Sequence, residues 1–380
     1  MKICFLTPEY PHTRTGNSGG IGTSIFHLSI ALIQLGHEVS IVIYGQGNDV
    51  VFQDNGITFY LVKNIKIKGL SLFLTQKKVQ KLINKLVSEN KVEIVEAPDW
   101  TGFTSYLNLK CPLIIRENGS DTYFCHLDQR PVKWRNKFLE KKALKKANGI
   151  IAVSKFTGNL TNELFKLKVP FTVIPNAIDS SQFETITFNK TPETILYFGT
   201  LIRKKGLLEL PFIFNEVIKK NPNAKLILVG KDASDIATKT YSTWQLMQSL
   251  FDERAIQKVS YLGSVPYSEI KKIIQEATLC AFPTFAEALP VSWLEAMAMQ
   301  KPIVASSIGW ANEIIDDGVN GFLEHPKNHK AFANKIVTLL NDETAQNSFG
   351  KAARIKIISH FNSNIVAEKT VVFYEKFLKK

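Results

Sequence analysis

The chain has 380 residues, 45% of them hydrophobic and 21% charged, which suits two buried cores at roughly 100–200 residues per domain. Its mean hydropathy of -0.02 excludes both a disordered polymer and a multispanning membrane protein. The 47 Lys and Arg against 34 Asp and Glu leave a net charge of +13; this excludes no fold but favours an anionic partner, whether nucleic acid, anionic lipid or a phosphorylated small molecule.

In chain order, the opening segment Met1–Tyr10 holds one lysine and an apolar run cut short by Pro8 and Glu9. It reads as a first strand and not as a signal peptide, which places the protein in the cytoplasm. Short apolar, β-branched runs then predict strands at 2–7, 39–44, 58–62, 92–96, 112–116 and 149–153, and again at 194–198, 225–229, 258–262, 279–283 and 302–305. Helical spacing falls between them, over 20–35, 72–89, 133–147, 206–220, 267–277 and 290–300. Strands this apolar are expected where a parallel sheet is covered on both faces. The alternation runs twice, so two doubly wound α/β domains are expected. The Pro-, Asn- and Ser-rich segment Val173–Thr191 marks the boundary, giving domains over 1–175 and 176–363. A last helix over 364–380 follows, with the N-terminal domain as one surface to which it can return. Cys4, Cys111, Cys125 and Cys280 form no C-x-x-C pair, so neither a zinc ribbon nor a thioredoxin-type site is expected, and no other metal motif is present. Cys4 and Cys280 fall inside strands and read as buried free thiols.

Three segments carry chemistry. After the first strand, Gly16, Gly19, Gly20 and Gly22 open a helix. Their spacing fits neither G-x-G-x-x-G nor a Walker loop, which argues against an NAD-dependent oxidoreductase. The loop is either a flexible β-α connection or a backbone able to come close to a ligand. After the strand at 194–198 comes the basic turn Arg203-Lys204-Lys205, at the place where parallel sheets meet their ligands. After the strand at 279–283 come Glu287, Ala288, Leu289, Pro290, Val291 and Glu295. A helix starting near Pro290 would put Glu295 about 7–8 Å along its axis. Such a helix start, with amides from Ala288, Leu289 and Val291, suits a phosphate, and carboxylates on either side suit hydroxyls. A nucleotide sugar has that layout, and Arg203 and Lys205 would offset its diphosphate charge.

Taken together these residues resemble a family 4 glycosyltransferase (glycosyl transferases group 1) of the GT-B fold. The likeness runs along the chain through Gly19-Gly20, Gly36-His37-Glu38-Val39, Ala152-Val153-Ser154, Val173-Ile-Pro-Asn176-Ala-Ile-Asp179, Phe198-Gly199, Lys205-Gly206, Tyr261-Leu-Gly263, Glu287-x7-Glu295, Ser307-Ile-Gly309 and Asn320-Gly321. The resemblance implies two Rossmann-like domains facing across a cleft, with the donor held mainly by the second. By that analogy Glu295 binds ribose hydroxyls, Glu287 contacts the transferred sugar, Arg203 and Lys205 neutralise the diphosphate beside Gly199, and Gly19 and Gly20 approach the donor phosphates. It further implies a retaining transfer without a metal or any other cofactor, from a UDP- or GDP-sugar. The sequence departs from the family pattern at Thr200, where arginine is common, and at Asn118, which stands where a family histidine approaches the donor sugar. Ala177, Ala288, Gln300 and Trp310 stand where glycine is common.

Two basic stretches remain. Residues 63–91 hold eight lysines against Glu89 alone, and 130–146 hold eight basic residues against Glu140 alone. Apolar residues such as Leu70, Phe73, Trp134 and Phe138 are interleaved. Solvated helix faces and a peripheral contact with anionic lipid are both open; the second suits a lipid-linked or glycan acceptor in cell-surface polysaccharide or glycolipid synthesis. Two other readings stand beside this one. A nucleotide-sugar epimerase shares the fold. A basic nucleic-acid-binding protein shares the charge, but no recognition module is present, so no nucleic acid is expected.

Overall fold

The computed structural model describes residues 1–16, 18–183 and 191–378. The chain divides into two compact units: Met1–Asp179 together with Phe361–Lys380, and Ser180–His360. The first division falls after Asp179, not after 175, because the preceding residues still bond into the N-terminal unit. Ser24 Oγ lies 2.9 Å from Asn176 Oδ1, and Ile178 bridges to Asn362. Residues 184–190 of the expected boundary segment lie outside the described residues.

The N-terminal unit runs β1 (Lys2–Thr7), α1 (Gly20–Gln34), β2 (Glu38–Gln46), β3 (Val50–Asp54), β4 (Ile57–Lys63), α2 (Ser71–Ser88), β5 (Ile94–Pro98), a tight helical turn at Trp100–Tyr106, β6 (Leu113–Glu117), α3 (Asp121–Leu127), α4 (Trp134–Lys146), β7 (Gly149–Ala152), α5 (Lys155–Phe165) and β8 (Thr172–Val173). These strands form one sheet in the order β3-β4-β2-β1-β5-β6-β7-β8. Every pairing is parallel except β3 with β4. β3 was not foreseen, because an edge strand with Val50 and Val51 exposed lacks the apolar run that betrays a covered strand.

The C-terminal unit runs β9 (Thr194–Phe198), a 3₁₀ turn at Arg203–Lys205, α6 (Leu210–Lys220), β10 (Lys225–Val229), α7 (Thr243–Gln248), α8 (Glu253–Ile256), β11 (Val259–Tyr261), α9 (Tyr267–Glu276), β12 (Leu279–Phe282), α10 (Val291–Ala298), β13 (Ile303–Ser306), α11 (Ala311–Ile314), β14 (Phe322–Glu324), α12 (His329–Asn341) and α13 (Glu343–Lys356). Its sheet is wholly parallel, in the order β11-β10-β9-β12-β13-β14. All five residues of β9 and all four of β12 are buried, as central strands of a doubly wound sheet must be. Cys4 and Cys280 are buried free thiols in β1 and β12.

The last helix, α14 (Ser363–Leu378), belongs to the N-terminal unit. Val366, Ala367, Phe373 and Tyr374 enter the same core as Ile3, Phe5 and Leu28. One polar latch sits in this apolar contact. Arg116 on β6 forks onto Glu96 of β5, with Nε 2.7 Å from Oε1 and Nη2 3.1 Å from Oε2; its Nη1 donates to the Ile174 carbonyl at 3.0 Å. The Tyr374 hydroxyl donates to Glu96 Oε2 at 2.6 Å. All three side chains are buried, so each depends on the others to offset its desolvation. Tyr374→Phe should therefore lower the unfolding free energy by about 1.5–3 kcal/mol, and Arg116→Met by about 3–5 kcal/mol, by leaving Glu96 unpaired. Denaturant unfolding checks both; two variants within experimental error of wild type would remove the latch from the account.

Candidate active site

In the C-terminal sheet, strand order reverses between β9 and β12: β10 and β11 lie on one side, β13 and β14 on the other. At such a switch point the loops diverge and leave a crevice beyond the carboxyl ends of the two strands. The residues predicted from sequence sit at this place. Gly199, Arg203 and Lys205 follow β9, and the segment Glu287–Glu295 follows β12.

The two loops are fastened together. Gly206 turns with φ +72°, and a Cβ there would lie 1.7 Å from the Pro283 carbonyl oxygen, so only glycine lets the basic turn reach the end of β12. The amides of Phe285 and Ala286 both donate to the Lys204 carbonyl, at 2.9 and 3.1 Å. This stitching brings Lys205 Nζ to 3.0 Å from Glu287 Oε1, with the side chains only 22% and 16% exposed. Gly199, at φ +137°, keeps the space beside that ammonium clear: a Cβ there would stand 3.4 Å from Nζ and 3.2 Å from the Tyr197 hydroxyl oxygen. The buried Tyr197 hydroxyl donates to the Thr200 carbonyl at 3.0 Å. Burial, and then the charge of Glu287, push its proton affinity well up, so it remains a donor.

Arg203 is committed to a residue that sequence reasoning missed. Its Nε and Nη2 reach Asp235 Oδ1 and Oδ2 at 2.7 and 2.8 Å, which leaves Nη1 over. Asp235 Oδ2 also accepts from Thr238 N and Oγ1. The guanidinium first, and then Thr238, hold this buried carboxyl well below the usual carboxylate range. The loop after β10 is thereby locked to the basic turn, and Leu201 N to the Lys231 carbonyl (2.8 Å) and Ala233 N to the Leu201 carbonyl (3.1 Å) add to the lock. Asp232 and Asp235 just past β10 were the only hint in the sequence, and they match no motif.

Helix α10 starts at Val291, with Pro290 as its extended N-cap, whose own side chain makes no cap hydrogen bond. The sequence placed Pro290 inside the helix. Its ψ of 116° puts it one step outside, where it ends the extended loop. Ala288 and Leu289 are buried just before this start, and Glu295 is buried one turn into the helix, 6% exposed. In this unit the structure thus gathers Gly199, Arg203, Lys205, Glu287, Ala288, Leu289, Val291 and Glu295 around one switch point.

The remaining predicted residues belong to the N-terminal unit: Gly19 and Gly20 follow β1, beside the switch point between β1 and β5, and Asn118 follows β6. Gly19 is the N-cap of α1, and Glu9 occupies its neighbourhood. The Glu9 carboxylate accepts from Gly22 N at 3.0 Å and would lie 3.2 Å from a Cβ on Gly19. A ligand phosphate brought to these amides competes with that carboxylate. A Cβ on Gly20 would meet nothing within 4 Å, so packing within the unit does not demand glycine there. Asn118 follows β6, with its amide N 3.0 Å from Asp99 Oδ1. Its own Oδ1, Asp99 Oδ2 and Glu117 Oε2 are buried without a hydrogen-bond partner among the described residues. Burial and Glu140 push Asp99 up to about 8; burial and Asp99 push Glu117 well above the carboxylate range. Burial also raises Glu140 to about 7, although it accepts from the first amides of α3. Short apolar runs marked β5 and β6 as strands, but nothing in the pattern showed that acids at their ends would be buried. Among the described residues, no group of three or more His, Cys, Asp or Glu is placed to hold a metal ion.

These raised values give a sign to the pH dependence. An unfolded Asp99 releases its proton near pH 4, while the folded one keeps it to about 8. Between these limits the folded chain binds more protons than the unfolded chain, so stability falls as pH rises through that window. Asp99→Asn should flatten the fall, its advantage over wild type growing from pH 5 to pH 8 in thermal melts. An advantage independent of pH would contradict the assignment.

Comparison with known proteins follows the same division. Residues 179–356 match the family described as Glycosyl transferases group 1, and residues 18–182 match Glycosyltransferase Family 4. An uncharacterised glycosyltransferase of Methanocaldococcus jannaschii is 25% identical over 99% of this chain and 98% of its own. The capsular polysaccharide biosynthesis glycosyltransferase CapM of Staphylococcus aureus is 27% identical over 64% of this chain and 65% of its own. Among solved structures, sucrose-phosphate synthase from Thermosynechococcus elongatus superposes with a TM-score of 0.79 at 18% identity, covering 99% of both chains. Anabaena HepE in complex with UDP superposes at 0.72 and 19% identity, over 99% of this chain and 100% of its own. The fold is GT-B, and with the two family matches running from residue 18 to residue 356, the chain belongs to the group 1, family 4 glycosyltransferases.

Proposed function

We propose that the protein is a retaining, metal-independent hexosyltransferase of the cytoplasm. It moves a sugar from a UDP- or GDP-sugar to a hydroxyl of a glycan or lipid-linked acceptor, in cell-surface polysaccharide or glycolipid synthesis. The observation that carries this reading is the Lys205–Glu287 pair at the β9/β12 switch point, just ahead of the start of α10. A cation, a carboxylate and a helix N-terminus at one place fit a sugar joined to a diphosphate. HepE was solved with UDP, and CapM is a capsular-polysaccharide enzyme; both support the choice of donor and acceptor class.

In this reading the diphosphate draws Lys205 away from Glu287. The released carboxylate accepts from a hydroxyl of the transferred sugar, while Glu295 takes the ribose hydroxyls. Arg203 offers Nη1 to phosphate from a guanidinium plane fixed by Asp235. The acceptor hydroxyl attacks C1 on the face from which the nucleoside diphosphate departs. As the C1–O bond to the acceptor forms, the C1–O bond to phosphate breaks, and the acceptor proton passes to the leaving phosphate oxygen. Charge grows on that phosphate, so the ammonium and the helix amides stabilise the transition state more than the ground state. The N-terminal unit takes the acceptor in this reading.

Turnover of UDP- and GDP-sugars, followed by proton NMR of the product, tests the reading. The wild type should keep the donor's anomeric configuration. Lys205→Ala should lower kcat on the order of 100- to 1000-fold with a smaller change in donor KM. An inverted anomer, or unchanged turnover in the variant, would overturn it.

A further inference from the structure

The two basic stretches, far apart in sequence, meet on one surface of the N-terminal unit. Helix α2 buries Thr75, Val79, Ile83 and Leu86 and turns Phe73, Lys77, Lys81 and Lys85 outward. Helix α4 buries Leu139, Ala143 and Leu144 and leaves Lys133, Arg135, Lys137 and Lys145 exposed. Both helices pack on the Trp100–Tyr106 turn, and Tyr106 joins them. The Phe73 ring meets it edge-on with centroids 6.1 Å apart, and Lys142 Nζ lies 3.5 Å from its centroid. Lys146 donates to the Leu107 carbonyl. Burial lowers its proton affinity, and the charges of Lys142 on its own helix and Lys77 on α2 lower it further. The charges of the two helices are therefore close enough to feel one another.

Large apolar side chains stand among these charges. Trp134 is 79% exposed and Phe138, one turn later on the same side of α4, 52% exposed. Leu70 and Phe73 are exposed at the start of α2. The acids of the two stretches are withdrawn: Glu140 is buried beneath α4, and Glu89, at the far end of α2, is paired with Lys91 and Lys85. Keeping indole and phenyl rings in water while gathering cations around them costs free energy at each step. Anionic headgroups over an apolar interior would offset both costs at once. A nucleic acid would satisfy the charges and leave the rings in water.

We propose that α2, Tyr106 and α4 form a docking surface for an anionic lipid bilayer, in which Trp134 and Phe138 enter the boundary between headgroups and acyl chains and the lysines and arginines sit at the phosphates. It deepens the reading of a membrane-borne acceptor given above, but the surface is tested without turnover. The full chain should co-sediment with phosphatidylcholine vesicles containing phosphatidylglycerol at low salt, and not with phosphatidylcholine alone. Replacing Lys133, Arg135, Lys137 and Lys145 together by Ser should weaken this binding on the order of 100-fold or more; Trp134→Ser with Phe138→Ser should weaken it roughly 10-fold or more. Both variants should keep the wild-type melting curve and the wild-type thermal shift with UDP or GDP, so a failure here is separable from a failure of the transferase reading. Equal binding to both kinds of vesicle, binding that survives loss of the four charges, or displacement from anionic vesicles by duplex RNA at equal charge would overturn the proposal.

Discussion

The contact around which the candidate site of the C-terminal unit is built is the 3.0 Å pairing of Lys205 with Glu287 across the β9/β12 switch point. Neither residue would reach the other without the close approach of Gly206 to Pro283 and the two amides that bind the Lys204 carbonyl. Those contacts exist only because β9 and β12 are neighbours with all their residues buried. The chain of cause runs from two apolar tetra- and pentapeptides, through a parallel sheet, to a partly covered ion pair. Such a pair contributes little to stability when exposed; held at a crevice, it is a cation that an incoming anion can take over.

The same logic explains Asp235. A bidentate carboxylate partner removes part of the charge that Arg203 could offer to phosphate, yet it fixes the guanidinium plane and ties down the loop after β10. With Thr200 uncharged, the cations of the turn are those at 203–205, which makes this arrangement more consequential. In the N-terminal unit the corresponding ends of β1, β5 and β6 carry acids, not bases. Glu9 sits at the start of α1, and Asp99 is buried close enough to Glu117 to raise its proton affinity.

Much of this was legible in the sequence. Buried parallel strands announce themselves as apolar runs, which is why β9, β10 and β12 were placed almost to the residue. The basic turn at 203–205 and the acids at 287 and 295 were found because each follows such a run. What could not be read depends on tertiary contacts. The edge strand β3 has no covered face to pattern it. The unit boundary shifts to Asp179 because Asn176 and Ile178 bond to α1 and to the segment before α14. Asp235, Asp99 and Glu117 look like ordinary surface acids until the fold buries them. The two basic stretches were each visible, but only the Trp100–Tyr106 turn reveals that they share one face.

A crystal structure of the chain with UDP or GDP bound tests the central claim most directly. A diphosphate is expected at the ends of β9 and β12, with Lys205 Nζ moved from Glu287 to a phosphate oxygen and ribose hydroxyls on Glu295. A nucleotide seated elsewhere, or one that leaves the Lys205–Glu287 pair intact, would contradict it.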